Sequence, residues 1–499
     1  MIMNGKEETY QAWNGTPKDS LTTNPTYNPS GIMYDKDGNF IGYYENEIDK
    51  YDQTYYQLHY AHNFSQKMTL TATAFLTTGK GYYENYKNDK KLSSYGLPSF
   101  IIGDTVIERL NLIQQKWLDN KYYGFNLALN QKAGKFDINY GGSWNRYDGE
   151  HFGIINWAEY GVPLNYRWYE NTGDKEYFNV YASANYELNS HLNFFAEIQY
   201  RHIDYKIEGI HDDLNDITQS HNFDFWNPKG GIFYTINENN SAYFSAAYSN
   251  REPNRDIYTD ADEIQRERVT HEKLIDYELG YSFRNRKTNI NANLFYMDYK
   301  DQLVMTGEIN NVGNTIMMNV DKSYRFGLEG CAAFLFNRFF ALDFNFALSQ
   351  NKILNFVDYV DNYDSEWNYL GQVENHLGKT DISFSPNIIA GMNLKVSPVR
   401  HLDIVFQEKY IGRQFIDNTS TLSRSLDPYF ISNVNINYEW KQSLFKELNF
   451  NLSVNNILNS RYCSNAWVYR ALVGGEEYVE DGYFSQAGIN FMFSIIVGI

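Results

Sequence analysis

Cysteine and proline are scarce in this sequence, and long hydrophobic runs are missing. The 499 residues include two cysteines, Cys331 and Cys463, and ten prolines. Two cysteines provide no disulfide framework, so a disulfide-rich secreted fold is excluded. A membrane-spanning helix needs about 20 consecutive apolar residues, whereas the longest apolar stretch here is residues 491–499. A helical membrane protein is therefore excluded as well.

Positively charged residues are fewer than negatively charged ones. Lysine and arginine number 43 against 61 aspartates and glutamates, which gives a net charge of −18. Binding to nucleic acid depends on clustered basic residues that neutralise phosphates, so we expect no nucleic-acid partner. The first residues, MIMNGKEETYQAWNG, contain no basic segment followed by an apolar one and no small-residue cleavage site. We therefore expect no signal peptide in this sequence, and either the chain is a fragment or its true start lies upstream.

Aromatic residues, by contrast, are abundant. The chain has 44 tyrosines and 33 phenylalanines, although its mean hydropathy is −0.56. Aromatic side chains favour pleated sheets, and apolar and polar residues alternate along many segments. At residues 68–76, for example, Met68, Leu70 and Ala72 alternate with threonines. Because residues two apart share one face of a strand, each segment has an apolar face and a polar face, and the sequence predicts an all-β fold.

The alternation predicts about 17 strands. They lie at residues 51–65, 67–80, 116–131, 135–147, 177–189, 191–206, 222–237, 240–251, 273–286, 288–304, 317–336, 338–353, 381–397, 400–414, 428–441, 446–458 and 482–499. Their connections alternate between tight turns, such as those at 133–134 and 285–287, and longer loops rich in Asp, Asn, Tyr and Trp. A soluble sandwich has no reason to sort its connections in this way. The pattern is typical of a transmembrane antiparallel β-barrel with short periplasmic turns and long extracellular loops.

The direction of the strands constrains the first 50 residues. Barrels of this kind carry an even number of strands, and an open strand edge cannot remain in lipid. Counting back from the last strand, the strand at 51–65 runs toward the short-turn end. At least one strand must therefore precede it, and we expect residues 1–50 to hold the top of that strand followed by a long outer loop.

Several segments resemble the TonB-dependent outer-membrane receptors of Bacteroidetes-type bacteria. TYQAWNG at 9–15, NPSG at 28–31, YDQTYYQLHY at 51–60 and TTGKGYYENYK at 77–87 are similar to an outer loop of that family and the strands beside it. SNREPNRDIYTDAD at 249–262 and LIDYELGYSFR at 274–284 resemble its central barrel. YIGRQFIDNTS at 410–420, RSLDPYF at 424–430 and VNNILNSRY at 454–462 resemble its last hairpins. The resemblance covers essentially the whole chain.

The resemblance implies a barrel of about 22 strands with a plugged lumen. Residues 1–499 are then expected to form a TonB-dependent receptor β-barrel domain that is incomplete at its N-terminus and lacks the plug domain. The implied location is the bacterial outer membrane. The implied partners are its lipid, an extracellular ligand, the protein's own plug domain and the TonB complex. The elements that bind the last two are expected to lie outside this sequence.

The implied function is TonB-dependent uptake of a scarce large nutrient, with a ferric siderophore or another iron complex as the expected ligand. A passive outer-membrane porin-like channel is the alternative. A barrel enzyme would need a catalytic set on the outer rim, and the sequence contains no nucleophile elbow, P-loop or dinucleotide fingerprint. We therefore expect no catalytic residue and no cofactor.

Aromatic residues of the predicted long loops are the candidate ligand contacts, because exposed rings stack on planar ligands and on sugars. They are Tyr82, Tyr83, Tyr86, Trp157, Trp168, Trp367 and Trp467. The alternative is that these rings pack the loops on each other or lie at the headgroup level of the membrane.

The predicted loop at 355–376 is acidic. It carries Asp358, Asp361, Asp364 and Glu366, but their spacing is not that of a calcium-binding EF-hand. A solvated acidic loop is favoured over a calcium site. Since no segment has the ligand spacing of a zinc site either, we expect no bound metal.

Overall fold

The computed structural model describes residues 1–259, 269–310, 313–441 and 445–498. The described residues form 27 strands, one short helix, α1 (Arg255–Thr259), and three single turns of 3-10 helix at Lys18–Ser20, Leu92–Tyr95 and Leu422–Arg424. Among these residues no helix is long and apolar enough to cross a membrane. The end of the segment at 249–262, from residue 260 onward, lies outside the described residues.

The strands are named in chain order. The first thirteen are β1 (Ile2–Tyr10), β2 (Ile32–Tyr34), β3 (Phe40–Tyr43), β4 (Ile48–Ser65), β5 (Met68–Lys91), β6 (Phe100–Ile102), β7 (Thr105–Ile107), β8 (Arg109–Ala133), β9 (Phe136–Ala158), β10 (Tyr166–Glu187), β11 (Leu192–Gly209), β12 (Gln219–Asn237) and β13 (Asn240–Arg251). The others are β14 (Glu272–Arg284), β15 (Thr288–Ile309), β16 (Thr315–Leu335), β17 (Phe340–Tyr363), β18 (Tyr369–Asp381), β19 (Ile388–Val399), β20 (Leu402–Ile411), β21 (Gln414–Phe415), β22 (Ser425–Leu426), β23 (Tyr429–Glu439), β24 (Glu447–Asn455), β25 (Cys463–Val473), β26 (Glu476–Ser485) and β27 (Asn490–Gly498).

The predicted all-β fold is confirmed, and each predicted strand overlaps an observed one. The structure adds strands that the alternation did not predict: β1 to β3, β6, β7, β18, β21, β22, β25 and β26. Most of these are short hairpins within the predicted loops, where neither face of the strand is required to be apolar. The count of 27 therefore exceeds the predicted one without displacing any predicted strand.

One compact unit comprises Met1–Asn14, Asn28–Tyr186 and Ala196–Pro228. Within it β1, β4, β5, β8, β9 and β10 pair in that order, each antiparallel to the next. The strand expected before residues 51–65 is β1, which pairs with β4 from Ile2 opposite Tyr56 to Tyr10 opposite Ile48. The long connection after β1 contains the β2–β3 hairpin.

The register of β5 and β8 shows how the sequence alternation becomes two faces. Leu70 lies opposite Leu129 and Ala74 opposite Phe125 on one face, while Thr73 lies opposite Asn126 on the other. Because side chains two apart share a face, apolar residues pair with apolar or aromatic ones on this face from Leu70 to Leu76. The polar face carries hydrogen bonds between strands, such as the one between His59 and the Thr73 hydroxyl at 3.1 Å.

The other compact unit comprises Gly15–Tyr27, Glu187–Phe195 and Lys229–Ile499. From residue 229 of β12 onward, consecutive strands pair antiparallel through β13, β14, β15, β16 and β17. The N-terminal part of β17 pairs with β19, which continues the ladder through β20, β23, β24 and β27. The C-terminal part of β17 instead forms a hairpin with β18.

Asparagine side chains close the tight turns of this unit. The Asn285 side-chain oxygen accepts hydrogen bonds from the backbone N–H groups of Lys287 and Thr288, both at 2.8 Å. Asn337 accepts the corresponding pair from Phe339 and Phe340. Asparagine can satisfy these groups because its short amide reaches the backbone two and three residues later. Asn285 and Asn337 therefore stabilise these turns by accepting hydrogen bonds from the backbone.

In the first unit, the strand ends that lie away from the tight turns run farther than predicted. Strand β5 continues to Lys91, β9 continues to Ala158, and β10 begins at Tyr166. Seven residues, 159–165, are left between β9 and β10, where the sequence suggested a much longer loop. Both faces of these extensions are partly covered by other side chains, so strict alternation is not required there.

We expect Asn285→Ala to lower the free energy of unfolding by about 1 kcal/mol, because two backbone N–H groups lose their acceptor. Chemical unfolding of the protein in detergent measures this change. Asn285→Asp keeps the acceptor and should restore stability, and Arg286→Ala in the same turn serves as the control. Equal stability of Asn285→Ala and Arg286→Ala would contradict the role of the amide.

Candidate functional site

The acidic segment predicted as a loop at 355–376 is a hairpin formed by β17 and β18. Its turn is closed by Asp364, whose side-chain oxygen accepts the N–H groups of Glu366 and Asn368, both at 2.9 Å. Trp367 occupies this turn with a left-handed φ of 64°. The acidic residues therefore have separate roles: Asp364 shapes the turn, and Asp358 and Asp361 lie on β17.

A second hairpin, β25 with β26, lies alongside this one and was not predicted. Residues 361–363 of β17 pair in parallel with residues 471–473 of β25. The Gly474 N–H extends the contact by donating to the Tyr363 carbonyl at 2.9 Å. A parallel ladder between segments so far apart in the chain holds the tips of the two hairpins together.

Arg470 on β25 is the central cation of the contact between the hairpins. It forms an ion pair with Asp358, and its Nε lies 3.5 Å from Asp417 Oδ2. Arg424 also binds Asp417, at 2.6 Å, and reaches Glu477 at 3.4 Å. The side chains of Asp358 and Asp417 are only 9% and 4% exposed. Charges so far from solvent persist only when they are paired in this way.

Residues 412–428 form the loop that supplies Asp417, and this loop is fixed to the sheet. Asn418 is fully buried; its amide donates to the Met305 carbonyl at 2.7 Å, and its oxygen accepts the Ser383 N–H at 2.8 Å. Ile416, also fully buried, packs with Val468 and Tyr483 in a small apolar core. The segment IGRQFIDNTS therefore attaches this loop to β15 and to the hairpin of β25 and β26.

Gly307 brings β15 close to the same loop. Its φ is +101°, and a Cβ atom added there would lie 2.9 Å from the Ile416 carbonyl oxygen. Only glycine tolerates this backbone conformation at such a close approach. This close approach places the next residue, Glu308, beside Asp417 and the two hairpins.

These elements enclose a cavity of about 440 Å³. Its charged lining consists of Glu308, Asp358, Asp361, Asp417 and Arg470, and its other lining residues include Phe356, Tyr359, Tyr363 and Tyr369. A neighbouring cavity of about 340 Å³ shares Phe356 and Tyr359 with it. We call the larger one the carboxylate cavity, because four of its five charged lining residues are acids.

Glu308 differs from the other acids of the carboxylate cavity. Asp361 accepts hydrogen bonds from Gln372 at 3.0 Å and from the Tyr469 hydroxyl at 3.2 Å. Within the described part of the chain, no side chain or backbone group donates a hydrogen bond to the Glu308 carboxylate. Burial, together with the nearby carboxylates of Asp361, Asp358 and Asp417, raises the pKa of Glu308 to about 7, although Arg470 opposes the shift.

Six of the seven predicted ligand contacts lie within strands. Five are on strands that extend beyond their predicted ends, and Trp467 is on β25, which was not predicted. On β5, Tyr82 packs on Trp117 with ring centroids 4.5 Å apart, and Tyr83 packs on Trp13 at 4.8 Å. Tyr86 lies beside Tyr44, with centroids 5.9 Å apart. On β9, Trp157 is 45% exposed.

Trp168 on β10 belongs to an apolar core. It is buried with Tyr95, Leu112 and Ile155, and its indole N–H donates to the Asp212 carbonyl at 3.2 Å. The Asp212 carboxylate in turn forms an ion pair with Lys116. The packing of this apolar core therefore accounts for the buried position of Trp168.

The two remaining tryptophans lie in the hairpins beside the carboxylate cavity. Trp367 is 51% exposed, and it contacts Tyr478 of β26 with centroids 5.1 Å apart. Trp467 is half-buried on β25. The structure thus places two of the predicted aromatics near the carboxylate cavity and the other five in the other unit.

Sequence reasoning missed Glu308, Asp417 and Arg470. Ala466, Val468 and Arg470 alternate with the aromatic residues at 467 and 469. This alternation is a strand signal that could have identified β25. No local signal could have joined Arg470 to Asp358, because the two residues are 112 positions apart.

The comparisons with known proteins agree with the observed fold. A family model described as TonB dependent receptor-like, beta-barrel matches residues 3–457, and no curated protein matches the sequence. The ferric-catecholate import receptor Fiu from E. coli K12, in its closed form, is 13% identical and superposes with a TM-score of 0.68, covering 99% of this chain and 71% of Fiu.

Two further solved structures show the same fold. The siderophore receptor PiuA from Acinetobacter baumannii is 14% identical with a TM-score of 0.70, covering 99% of this chain and 70% of PiuA. The ferric citrate transporter FecA in its unliganded form is 12% identical with a TM-score of 0.70, and the match covers 99% of this chain and 66% of FecA. At this level of identity the comparisons establish the fold alone.

We expect Asp358→Ala to destabilise the protein by about 3 kcal/mol, because it leaves the buried Arg470 guanidinium without its main partner. Thermal unfolding in detergent and proteolysis of residues 463–485 report the loss. The double variant Asp358→Ala with Arg470→Met removes both charges and should recover most of it. Glu366→Ala, in the exposed turn of the same hairpin, is the matched control; if it destabilises the protein as much as Asp358→Ala does, the ion pair is not the cause.

The raised pKa of Glu308 gives a pH-dependent stability. In the folded protein this carboxyl holds its proton up to about pH 7, whereas in the unfolded chain it releases it near its ordinary value. Stability therefore falls as pH rises between those two values and stays low above the upper one. Glu308→Gln cannot ionise, so it should be more stable than the unaltered protein by about 3 kcal/mol at pH 8 and by almost nothing at pH 4. Unfolding measured at both pH values checks this difference, and an equal effect at both would contradict it.

Proposed function

Because the chain belongs to the TonB-dependent receptor-like β-barrel family, we propose that it is the barrel of an outer-membrane receptor for TonB-dependent uptake of a scarce large nutrient. The family consists of outer-membrane receptors and transporters, which bind extracellular ligands and TonB. The observation that carries the proposal is the carboxylate cavity, built where the long strands end and the outer loops meet. A ligand-binding cavity at that end is what capture from outside the cell requires.

The ligand that we propose is a ferric siderophore or another iron complex. This finer assignment is supported by the solved structures of the same fold, whose names describe import of a ferric catecholate, a siderophore and ferric citrate. The cavity volume of about 440 Å³ fits a ligand group of drug-like size and not a bare ion.

The apolar faces of the strands support a place in the outer membrane. Leu127 on β8, Leu279 on β14 and Phe493 on β27 are 46%, 54% and 57% exposed, respectively. Large apolar side chains repeated on one face of successive strands are covered by lipid in membrane barrels. We place the short asparagine-closed turns on the periplasmic side and the carboxylate cavity outside the cell.

We propose that residues 1–499 act as the barrel domain together with a plug domain and the TonB complex. The solved receptors of the same fold are longer, with this chain spanning 66% to 71% of the three described above. Of the predicted aromatic contacts, we retain Trp157 and Trp367 as the candidates most open to a ligand, because their rings are 45% and 51% exposed.

Deleting the gene in the cell that encodes it should lower uptake of radioactive iron(III) supplied as ferric citrate or as a ferric catecholate. The loss should equal that produced by collapsing the proton gradient, because TonB-dependent transport uses that energy. Unchanged uptake of both complexes would contradict an iron receptor. Steady open conductance of the complete native protein in planar bilayers would instead favour the passive porin-like channel.

A further inference from the structure

The carboxylate cavity has an excess of negative charge after its internal ion pairs are counted. Four acids and one arginine line it, and the adjacent pair of Arg424 and Glu477 adds one charge of each sign. Even with Glu308 protonated, three carboxylates of the lining face a single guanidinium. The cavity therefore attracts a positively charged group.

One acceptor in the carboxylate cavity is left without a donor. Asp358 and Asp417 are bound by arginines, and Asp361 is bound by Gln372 and Tyr469. The Glu308 carboxylate lines the same cavity and receives no hydrogen bond from the described chain. Glu308 is partly buried, and a donor that enters the cavity would supply a hydrogen bond that the described chain does not.

Aromatic rings form another part of the wall. Phe356, Tyr359, Tyr363 and Tyr369 line the carboxylate cavity together with the acids. The face of an aromatic ring attracts ammonium and guanidinium groups, and it does so most strongly where water is excluded. Carboxylates combined with aromatic faces suit an organic cation better than a hydrated inorganic one.

Direct coordination of a metal ion does not fit the carboxylate cavity. Among the described residues, the group of three potential ligand atoms that lie within 4.8 Å of one another is His211, Asp212 and Asp213, which is not part of this cavity. The cavity acids are dispersed along β15, β17 and the 412–428 loop, and most are already held by donors. Their arrangement leaves room for a molecular group between them.

We propose that the carboxylate cavity binds an organic cation, namely an ammonium or guanidinium group that the ligand carries, with Glu308 as its principal acceptor. This inference deepens the proposed function and rests on it for the link to uptake. It assigns to the ligand a positively charged group. Asp361 and the aromatic wall position the group, while Arg470 keeps Asp358 and Asp417 in place.

Isothermal titration of the purified full chain with spermidine, at near-physiological salt, tests the proposal directly. We expect saturable binding that is weakened about tenfold or more by Glu308→Gln at pH 8, since a charge-assisted hydrogen bond is lost. Because the net charge of −18 attracts any polyamine weakly, Glu366→Gln is the matched control and should leave the affinity unchanged. The unfolding measurements described above establish that Glu308→Gln is folded.

The pH dependence supplies a second readout. The groups that face Glu308 are Asp358 and Asp361 on β17, Asp417 on the loop and Arg470 on β25. With Glu308 half ionised near pH 7, spermidine affinity should rise about tenfold between pH 6 and pH 8 in the unaltered protein. In Glu308→Gln the affinity should stay flat across this range.

Three outcomes would overturn the inference: no saturable spermidine binding, equal binding by Glu308→Gln and Glu366→Gln, or calcium alone binding with a dependence on Glu308. Failure of the proposed function looks different. If iron uptake by cells depends on this gene but spermidine does not bind, the cation site is wrong and the receptor function stands. If spermidine binds as expected but gene deletion leaves uptake unchanged, the site is real and the transport proposal is wrong.

Discussion

Pairing of backbone N–H and C=O groups between neighbouring strands is the constraint on which the rest of the structure depends. Strands of more than twenty residues, such as β5, β8 and β17, leave many polar groups that require partners along their whole length. Antiparallel ladders satisfy them, and the pleat then sorts the side chains into two faces. The asparagine-closed turns follow from the same requirement, because a chain that reverses within two or three residues must satisfy its backbone with a side chain.

The strands could be predicted from the sequence wherever one face of the strand must be apolar. Leu70, Leu129 and their neighbours alternate because one face must be apolar, so β5 and β8 were predictable. Near the ends of the long strands, side chains of other segments cover both faces. The alternation there carries less information, and β18, β25 and β26 were missed. Trp168 shows the same limit in another form: its position suggested an exposed ring, yet it packs in a core built from several strands and loops.

The carboxylate cavity was less predictable than the fold, because its contacts join distant parts of the chain. Asp358 and Asp361 were recognised as acidic, but the reading of a solvated loop was incomplete, since Asp358 is buried against Arg470. Nothing near Arg470 in the sequence indicates this partner. The cavity depends instead on three contacts: the parallel ladder between β17 and β25, the hydrogen bond from the Asn418 side chain to β15, and the close approach at Gly307. Each involves a backbone group whose partner is known only after the chain has folded.

These contacts also explain how an unpaired acid can be kept in place. The Glu308 carboxylate receives no hydrogen bond from the described chain, and partial burial beside other acids makes its ionised form unfavourable. Glu308 follows Gly307 directly, and the backbone there is fixed against Ile416 and Asp417, so the side chain is directed into the cavity whatever its local cost. Burial and the nearby carboxylates of Asp361, Asp358 and Asp417 raise the pKa of Glu308, while Arg470 opposes this effect. Ionisation of Glu308 is therefore costly in the folded protein, and a cationic group beside it would lower that cost.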